Sequence, residues 1–441
     1  MKPRSLLLLL ALAAVLALAC QRKLGLGSQT TVQAAPNVLI SKSDGQSFGP
    51  CEPSIAINPL NPQQVVAGAV LDFVYRSEDG GKTWAADRLR SSYGVYGDPV
   101  ILADYAGNFF YAHLADPSGL GRAHPSWLDR IVVQKSTDGG KTWNDGSFAG
   151  HRPPADQDKQ WLAVDPRNNH LYMTWTEFDQ YGSSRPEDRS RILFSKSTDA
   201  GESWSEAASI NQYDGGCLDD DNTTEGAVPA VGPDGQVYVA WSFAEKIYFD
   251  RSLDGGQTWL DEDIVAADQP GGWTFDIPGI SRANGLPFTA ADLSAGPYRG
   301  SVYINWCDQR HGKDDTDSWF IYSRDGGDTW SAPIRVNDDP PGRQQFFTSM
   351  TVDQSTGYIY IIYYDRRAYD DLRTDVYLAY STDGGQSFTN QRISESPFSP
   401  TPFVFFGDYN HISAVNGTVR PIWTRLDDGK LSVWTALVEM R

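Results

Sequence analysis

Apolar residues along this chain fall in short runs, four to eight long, cut by Gly, Asn, Asp and Pro. The pattern is clearest where Trp161-Leu162-Ala163-Val164-Asp165 is followed by Leu171-Tyr172-Met173-Thr174-Trp175 and then Arg191-Ile192-Leu193-Phe194-Ser195. Runs of this length, alternating or wholly apolar and bounded by turn residues, predict β-strands. The triplet returns as 228–231, 237–241 and 247–250, and again as 348–352, 358–363 and 376–380. A fourth run follows each triplet, as in Pro333-Ile334-Arg335-Val336.

Between the third and fourth runs lies a phrase that recurs six times. Ser77-Glu78-Asp79-Gly80-Gly81-Lys82-Thr83-Trp84 returns with small changes around Asp138, Asp199, Asp254, Asp325 and Asp383. Recurrence at about 55 to 70 residues marks an array whose units bury their apolar faces on one another. Four antiparallel strands per unit describe the blade of a propeller. The phrase itself reads as a folding device. Paired glycines permit positive φ, the Asp carboxylate accepts turn amides, and the Trp packs into the stack of sheets. Ala200 replaces the first Gly of the third copy and Phe388 the Trp of the sixth, changes a turn can absorb.

Counting units rather than phrases gives seven. Residues 410–415, 419–423 and 431–437 supply three strands with no phrase and no fourth strand, while Asn37-Val38-Leu39-Ile40-Ser41 is a spare strand at the other end. The prediction is an all-β, seven-bladed propeller of four-stranded antiparallel blades, closed by the N-terminal strand so that no sheet edge stays open. Six blades, with one unit an insertion, is the alternative. Residues 37–441 form the propeller, 20–36 a polar tether and 1–19 an export signal.

That signal is Lys2 and Arg4, an apolar run from Leu6 to Leu18, and Ala17-Leu18-Ala19 before Cys20. Cys20 reads as a lipidation site, although Ala17-Leu18-Ala19 also fits ordinary cleavage. The expectation is an exported, membrane-anchored lipoprotein facing the periplasm or the cell exterior, touching the membrane through its lipid only. The net charge of -19 disfavours nucleic acid. A monomer is expected. Three further cysteines, Cys51, Cys217 and Cys307, leave at least one thiol unpaired, and a disulfide, if formed, would join Cys217 to Cys307.

The repeated S-x-D-G-G-x-T-W flanked by strands is the Asp-box, and the chain resembles the non-viral sialidase-like, BNR-repeat propellers over 37–439. The resemblance implies a propeller with its Asp-boxes on one face and its site on the other. Sialidases of that superfamily have six blades, three arginines gripping a sugar carboxylate, a Tyr nucleophile with a Glu, an Asp acid/base and an Arg-Ile-Pro motif. No Arg-Ile-Pro occurs here.

Candidate chemistry therefore belongs to the loops opposite the boxes. Aligning second strands by their end aromatics places charges in one slot: Glu177, Asp308 with Arg310, Asp365 with Arg367, and Arg425. With Asp408 and Tyr409, three arginines suit a carboxylate, and Asp308, Asp365, Asp408 and Tyr409 suit glycosidic catalysis. Purely structural salt bridges between Asp and Arg at neighbouring blades are the alternative. Glu52, Asp98, Asp158, Glu225 and Asp408 each precede an inner strand and form a second ring, either a cation or sugar-hydroxyl site or caps on exposed amides. No cofactor is required. Calcium is a candidate for the acidic loops 219–222 and 314–317, which lack the spacing of an EF-hand. Two functions stand side by side: a propeller binding glycan or an envelope or extracellular protein, and an exo-α-sialidase type of glycoside hydrolase.

Overall fold

The computed structural model describes residues 32–33, 36–45 and 48–440. Cys20 and the export signal lie outside them. Seven antiparallel sheets follow one another around a ring. Blades 1 to 6 take their four strands from consecutive sequence, within 54–88, 100–149, 156–209, 225–268, 288–335 and 345–392. Blade 7 is composite: His411–Val415, Thr418–Asp427 and Lys430–Ala436 are completed by Asn37–Lys42 from the other end of the chain. Asn37 pairs with Ala436 and Lys42 with Ser432, so the ring closes by strand pairing, as the spare strand predicts. A short hairpin, Thr274–Phe275 with Ala283–Asn284, stands outside the repeat between blades 4 and 5. Among the described residues no helix is long and apolar enough to cross a membrane.

The Asp-boxes do what their residue types suggest. In the first, the Asp79 carboxylate takes the Ser77 hydroxyl at 2.8 Å, the Lys82 and Thr83 amides at 3.0 and 2.9 Å and the Thr83 hydroxyl at 2.6 Å. The Gly81 amide donates back to the Ser77 hydroxyl at 2.8 Å. The second glycine has a packing reason as well as a φ. A Cβ at Gly256, Gly327 or Gly385 would come within 2.3 Å of Phe194, Phe249 or Phe320 respectively, an aromatic of the preceding blade. The box aromatics meet the same rings, with Trp259 4.9 Å from Phe194, Trp330 5.0 Å from Phe249 and Phe388 5.1 Å from Phe320. Each box thus clips its blade to the one before. Phe388 serves as well as Trp because the contact is made by the ring.

Strand order puts the box turns and the hairpins between first and second strands on one rim. The opposite rim holds the starts of the inner strands and the turns between second and third strands.

Candidate functional site at the channel mouth

Register aligns the seven inner strands residue by residue. Ser54, Val100, Trp161, Val228, Phe288, Ser349 and His411 pair with the residue just before the end of each second strand's aromatic or equivalent position. Two residues upstream sit Glu52, Asp98, Lys159, Gly226, Leu286, Phe347 and Tyr409. Five of these positions are left-handed: Glu52 at φ 50°, Asp98 at 49°, Lys159 at 54°, Gly226 at 80° and Phe347 at 51°. In blades 3, 4 and 6 the ladder shifts register here, at 158/161, 225/228 and 346/349. A left-handed residue at a bulge costs about 1–3 kcal/mol and re-aims side chains out of the pleat. The strain recurs around one rim, where the carboxylates of Glu52, Asp98, Asp158, Glu225 and Asp408 gather.

Two cations hold that ring together. Lys159 Nζ lies 2.6 Å from Asp408 and 3.4 Å from Asp98. Arg282, carried across the mouth by the extra hairpin, grips Asp408 with two nitrogens, Nε donating at 2.9 Å, and reaches Asp219 at 3.3 Å. Burial opposes charge on Asp408, but Lys159 and Arg282 outweigh it and hold the carboxyl well below its usual range. The neighbours go the other way. Burial, reinforced by the Asp98 charge, pushes Asp158 up to about 7. Burial followed by Asp98 and Asp408 raises Glu52, and burial followed by Asp219 raises Glu225. Glu52 accepts the Asp408 amide at 3.0 Å and Asp158 the Lys159 amide at 2.8 Å, so the capping expectation is met at two positions. Among the described residues neither enters an ion pair, and the fully buried Glu225 lies against the Asp219 carboxyl.

Above this floor opens a cavity of about 550 Å³. Its charged lining is Glu52, Asp98, Asp158, Lys159 and Arg282, and its aromatic wall is Phe48, Tyr96, Trp127, Tyr181, Phe403 and Phe405. Trp127 stands edge-on to Tyr96 and Tyr181, each at 6.0 Å, and Phe48 stacks on Phe405 at 5.3 Å. Phe403 is 93% exposed at the rim. Beneath the floor, Trp161 packs on Phe288 at 4.7 Å and on His411 at 5.2 Å. Tyr409, half-buried and neutral because desolvation, then Asp98 and Glu52, raise its phenol, donates to the Pro99 carbonyl at 3.3 Å.

The slot at the ends of the second strands is arranged differently. Asp308 is buried, accepts Trp306 Nε1 at 2.8 Å and pairs with Arg310 at 2.5 Å, whose guanidinium lies 4.0 Å from the Trp319 ring. Asp365 pairs with Arg367 at 2.9 Å, and Arg367 also engages Asp338. Arg425 pairs with Asp427 at 3.0 Å and donates to the Ser396 carbonyl at 2.9 Å. Glu177 meets Arg152 at 3.3 Å. Each arginine is thus held by carboxylates or carbonyls beside it, and none of the three lines the mouth cavity. Asp158 does line the mouth cavity, while Asp408 and Tyr409 lie beneath its floor. The pairing of Cys217 with Cys307 is not made: all three described cysteines are free and buried, Cys217 in the loop before blade 4 and Cys307 in the second strand of blade 5. The acidic loops are spent on local structure, Asp220 accepting the Asn222 amide and Asp221 the Thr274 amide, each at 2.8 Å. His311, Asp315 and Asp317 bring ligand atoms within 4.8 Å of one another, yet Asp317 already holds Arg335 at 2.6 Å.

Lys159, Arg282 and the aromatic wall escape a reading by motif, and Asp219, read from the sequence as part of a calcium loop, reaches Arg282 instead. Arg282 had one signal, the interval of 71 residues between Asp254 and Asp325 against 55 to 61 elsewhere, which marks an insertion.

Comparison with known proteins agrees with this architecture. The BNR/Asp-box repeat model matches residues 321–332. A sialidase of Bacteroides fragilis is 35% identical over 89 residues, 16% of either chain, so the match spans about a sixth of that relative. Solved structures align over most of the ring. A Dyadobacter fermentans protein of unknown function aligns over 93% of this chain and 99% of its own, with a TM-score of 0.52 at 14% identity. The chain is a β-propeller with Asp-box repeats, similar in fold to these structures. The same propeller fold aligns with an ulvan lyase, TM-score 0.54 and 13% identity over 90% of this chain and 95% of that one. It also aligns with the intramolecular trans-sialidase of Ruminococcus gnavus, TM-score 0.51 and 13% identity over 78% and 95%. At these identities the likeness is one of fold.

Proposed function

We propose that this Asp-box propeller binds a saccharide in the cavity over its channel mouth, displayed at the envelope surface by the lipid on Cys20. The observation that carries the reading is the cavity's build: aromatic side chains on the wall for sugar faces, and carboxyl groups on the floor for hydroxyls. The trans-sialidase and the ulvan lyase named above, both carbohydrate-active, lend the reading support by analogy. A sialidase-type grip on a sugar carboxylate has less support, because Arg310, Arg367 and Arg425 serve their own surroundings.

Glycosidic hydrolysis is the second reading, and one contrast favours it. Asp158 holds a proton near neutrality while Asp408 stays ionised, the division of labour between acid and base in such enzymes.

Titrating the full chain with a panel of neutral, acidic and amino oligosaccharides, read by tryptophan fluorescence, tests binding. Trp127→Ala is expected to weaken affinity about tenfold at unchanged thermal stability, in line with the loss of one stacking ring. If no sugar in the panel shifts the signal, the reading fails. Turnover of aryl glycosides that Asp158→Asn abolishes, with binding retained, would establish the second reading. Globomycin treatment that leaves no precursor would remove the lipid anchor.

A further inference from the structure

We infer that the saccharide taken at the mouth carries a positively charged amino group; the inference rests on the saccharide reading above. The cavity's own cations are two, and each is already divided between carboxylates, Lys159 between Asp408 and Asp98 and Arg282 between Asp408 and Asp219. An acidic sugar would have to compete with Asp408, Asp98 and Asp219 for these cations. Glu52 and Asp158, by contrast, line the cavity, and among the described residues only backbone amides donate to them and no ion pair involves either. Behind them the fully buried Glu225 adds a third carboxyl, in hydrogen-bond contact with Asp219.

The vacant partner is an organic cation rather than a metal ion. Among the described residues the only trio of acidic or imidazole groups with ligand atoms within 4.8 Å is His311, Asp315 and Asp317, far along the chain from the mouth. The mouth carboxyls are therefore spread too widely for the short bonds of a hard ion but surround a cavity that a sugar ring fills. The wall suits the same charge. Aromatic faces attract cations, and the outer faces of Trp127 and Tyr181 already take the Arg122 guanidinium at 5.3 and 5.0 Å. An ammonium on a pyranose would meet Asp158 or Glu52, its charge favouring release to solvent of the proton that burial favours there, while the ring stacks on this wall.

Calorimetric titration of the full chain at pH 7.5 and near-physiological salt would use a glucosamine disaccharide, its N-acetylated counterpart and a sialylated or uronic disaccharide. The glucosamine form is expected to bind at least tenfold more tightly than the N-acetylated form, and the acidic sugar weakest. The isosteric changes Asp158→Asn and Glu52→Gln should each bring the two affinities together, with thermal melts confirming an intact ring. Equal affinity for the amino and N-acetylated forms, or preference for the acidic sugar, overturns the inference and leaves saccharide binding standing. A preference that survives both substitutions assigns it to the acidic surface as a whole and also overturns it. If none of the three sugars binds, the saccharide reading falls and takes the inference with it.

Discussion

The two rims of the ring carry aspartates in opposite electrical states. On the box rim, carboxylates sit near solvent, each ringed by donors. Asp325 takes the Thr329 hydroxyl and amide and the Ser323 hydroxyl, which together hold it at about 2. On the mouth rim, carboxyls are buried among one another and Asp158 is pushed up to about 7. The first arrangement repeats because it stabilises a turn wherever it occurs. The second occurs once, because it needs seven strand starts to converge on one axis. Repetition therefore marks scaffold here, and convergence marks the site.

The sharpest way to break the contrast is to remove the anion on which both mouth cations depend. Asp408→Ala leaves the largely buried Lys159 with only the longer contact to Asp98 and the more exposed Arg282 with only Asp219, and breaking the buried Lys159 pair in this way costs about 3–5 kcal/mol. Urea denaturation should show this loss. Asp325→Ala on the box rim removes hydrogen bonds in a more exposed turn and should cost about 1–2 kcal/mol. A box variant as damaging as the mouth variant would mean that the rims do not differ as described.

Dependence on pH separates the rims more finely. Asp158 titrates higher in the folded chain than in the unfolded one, so between about pH 4 and pH 7 the native state keeps a proton that the unfolded chain has lost. Its contribution to stability rises as pH falls through that window, by an amount on the order of 3 kcal/mol. Asp79, Asp138 and Asp325 in the boxes have folded values near 2, so their stabilisation is full above about pH 4 and lost only below it. Burial lowers His113 and His411 to about 4, and they oppose the Asp158 trend below about pH 6.5. The informative quantity is thus the difference between parent and Asp158→Asn, measured by urea at pH 5 and pH 8. The variant should gain on the parent at pH 8, by about 2–3 kcal/mol more than at pH 5. A difference that is flat with pH would show that Asp158 is not held protonated.

The fold was legible because its signals are local. An Asp-box is complete within eight residues, and the strand runs beside it show their own period, so the blades, their number and the closing strand follow from the sequence. The site was legible only where a single chain segment carries it. Asp158, Asp408, Tyr409, Glu52, Asp98 and Glu225 announce themselves by preceding inner strands. Lys159 hides beside Asp158, since nothing in the sequence says that φ turns positive there. Arg282 comes from a hairpin outside the repeat, and its partner Asp408 is 126 residues away. The arginines of the second-strand slot recur for the opposite reason: Arg310 and Arg367 each lie two residues past an aspartate and fold back on it. Regular spacing there reported a local ion pair, not a shared pocket.

The smallest effect concerns the box that departs from its pattern. Ala200 stands where the other boxes have Gly80, Gly139, Gly255, Gly326 and Gly384, and it adopts the same left-handed backbone, at φ 59° against 71° to 76°. A Cβ in that region costs about 1–2 kcal/mol. Glycine would relieve this cost but would also make the unfolded chain more flexible, returning about 0.4–1 kcal/mol. The two nearly offset, and Ala200→Gly should stabilise the protein by only about 0.5 kcal/mol, a rise in Tm of a degree or so. The remaining contacts of the box do not involve the side chain: Asp199 still takes the Ser203 amide at 3.0 Å, and the Gly201 amide still donates to Ser197 at 2.9 Å. A clear loss of stability on Ala200→Gly would mean that the methyl group packs usefully in the third box, and that this turn differs from its five fellows in more than one atom.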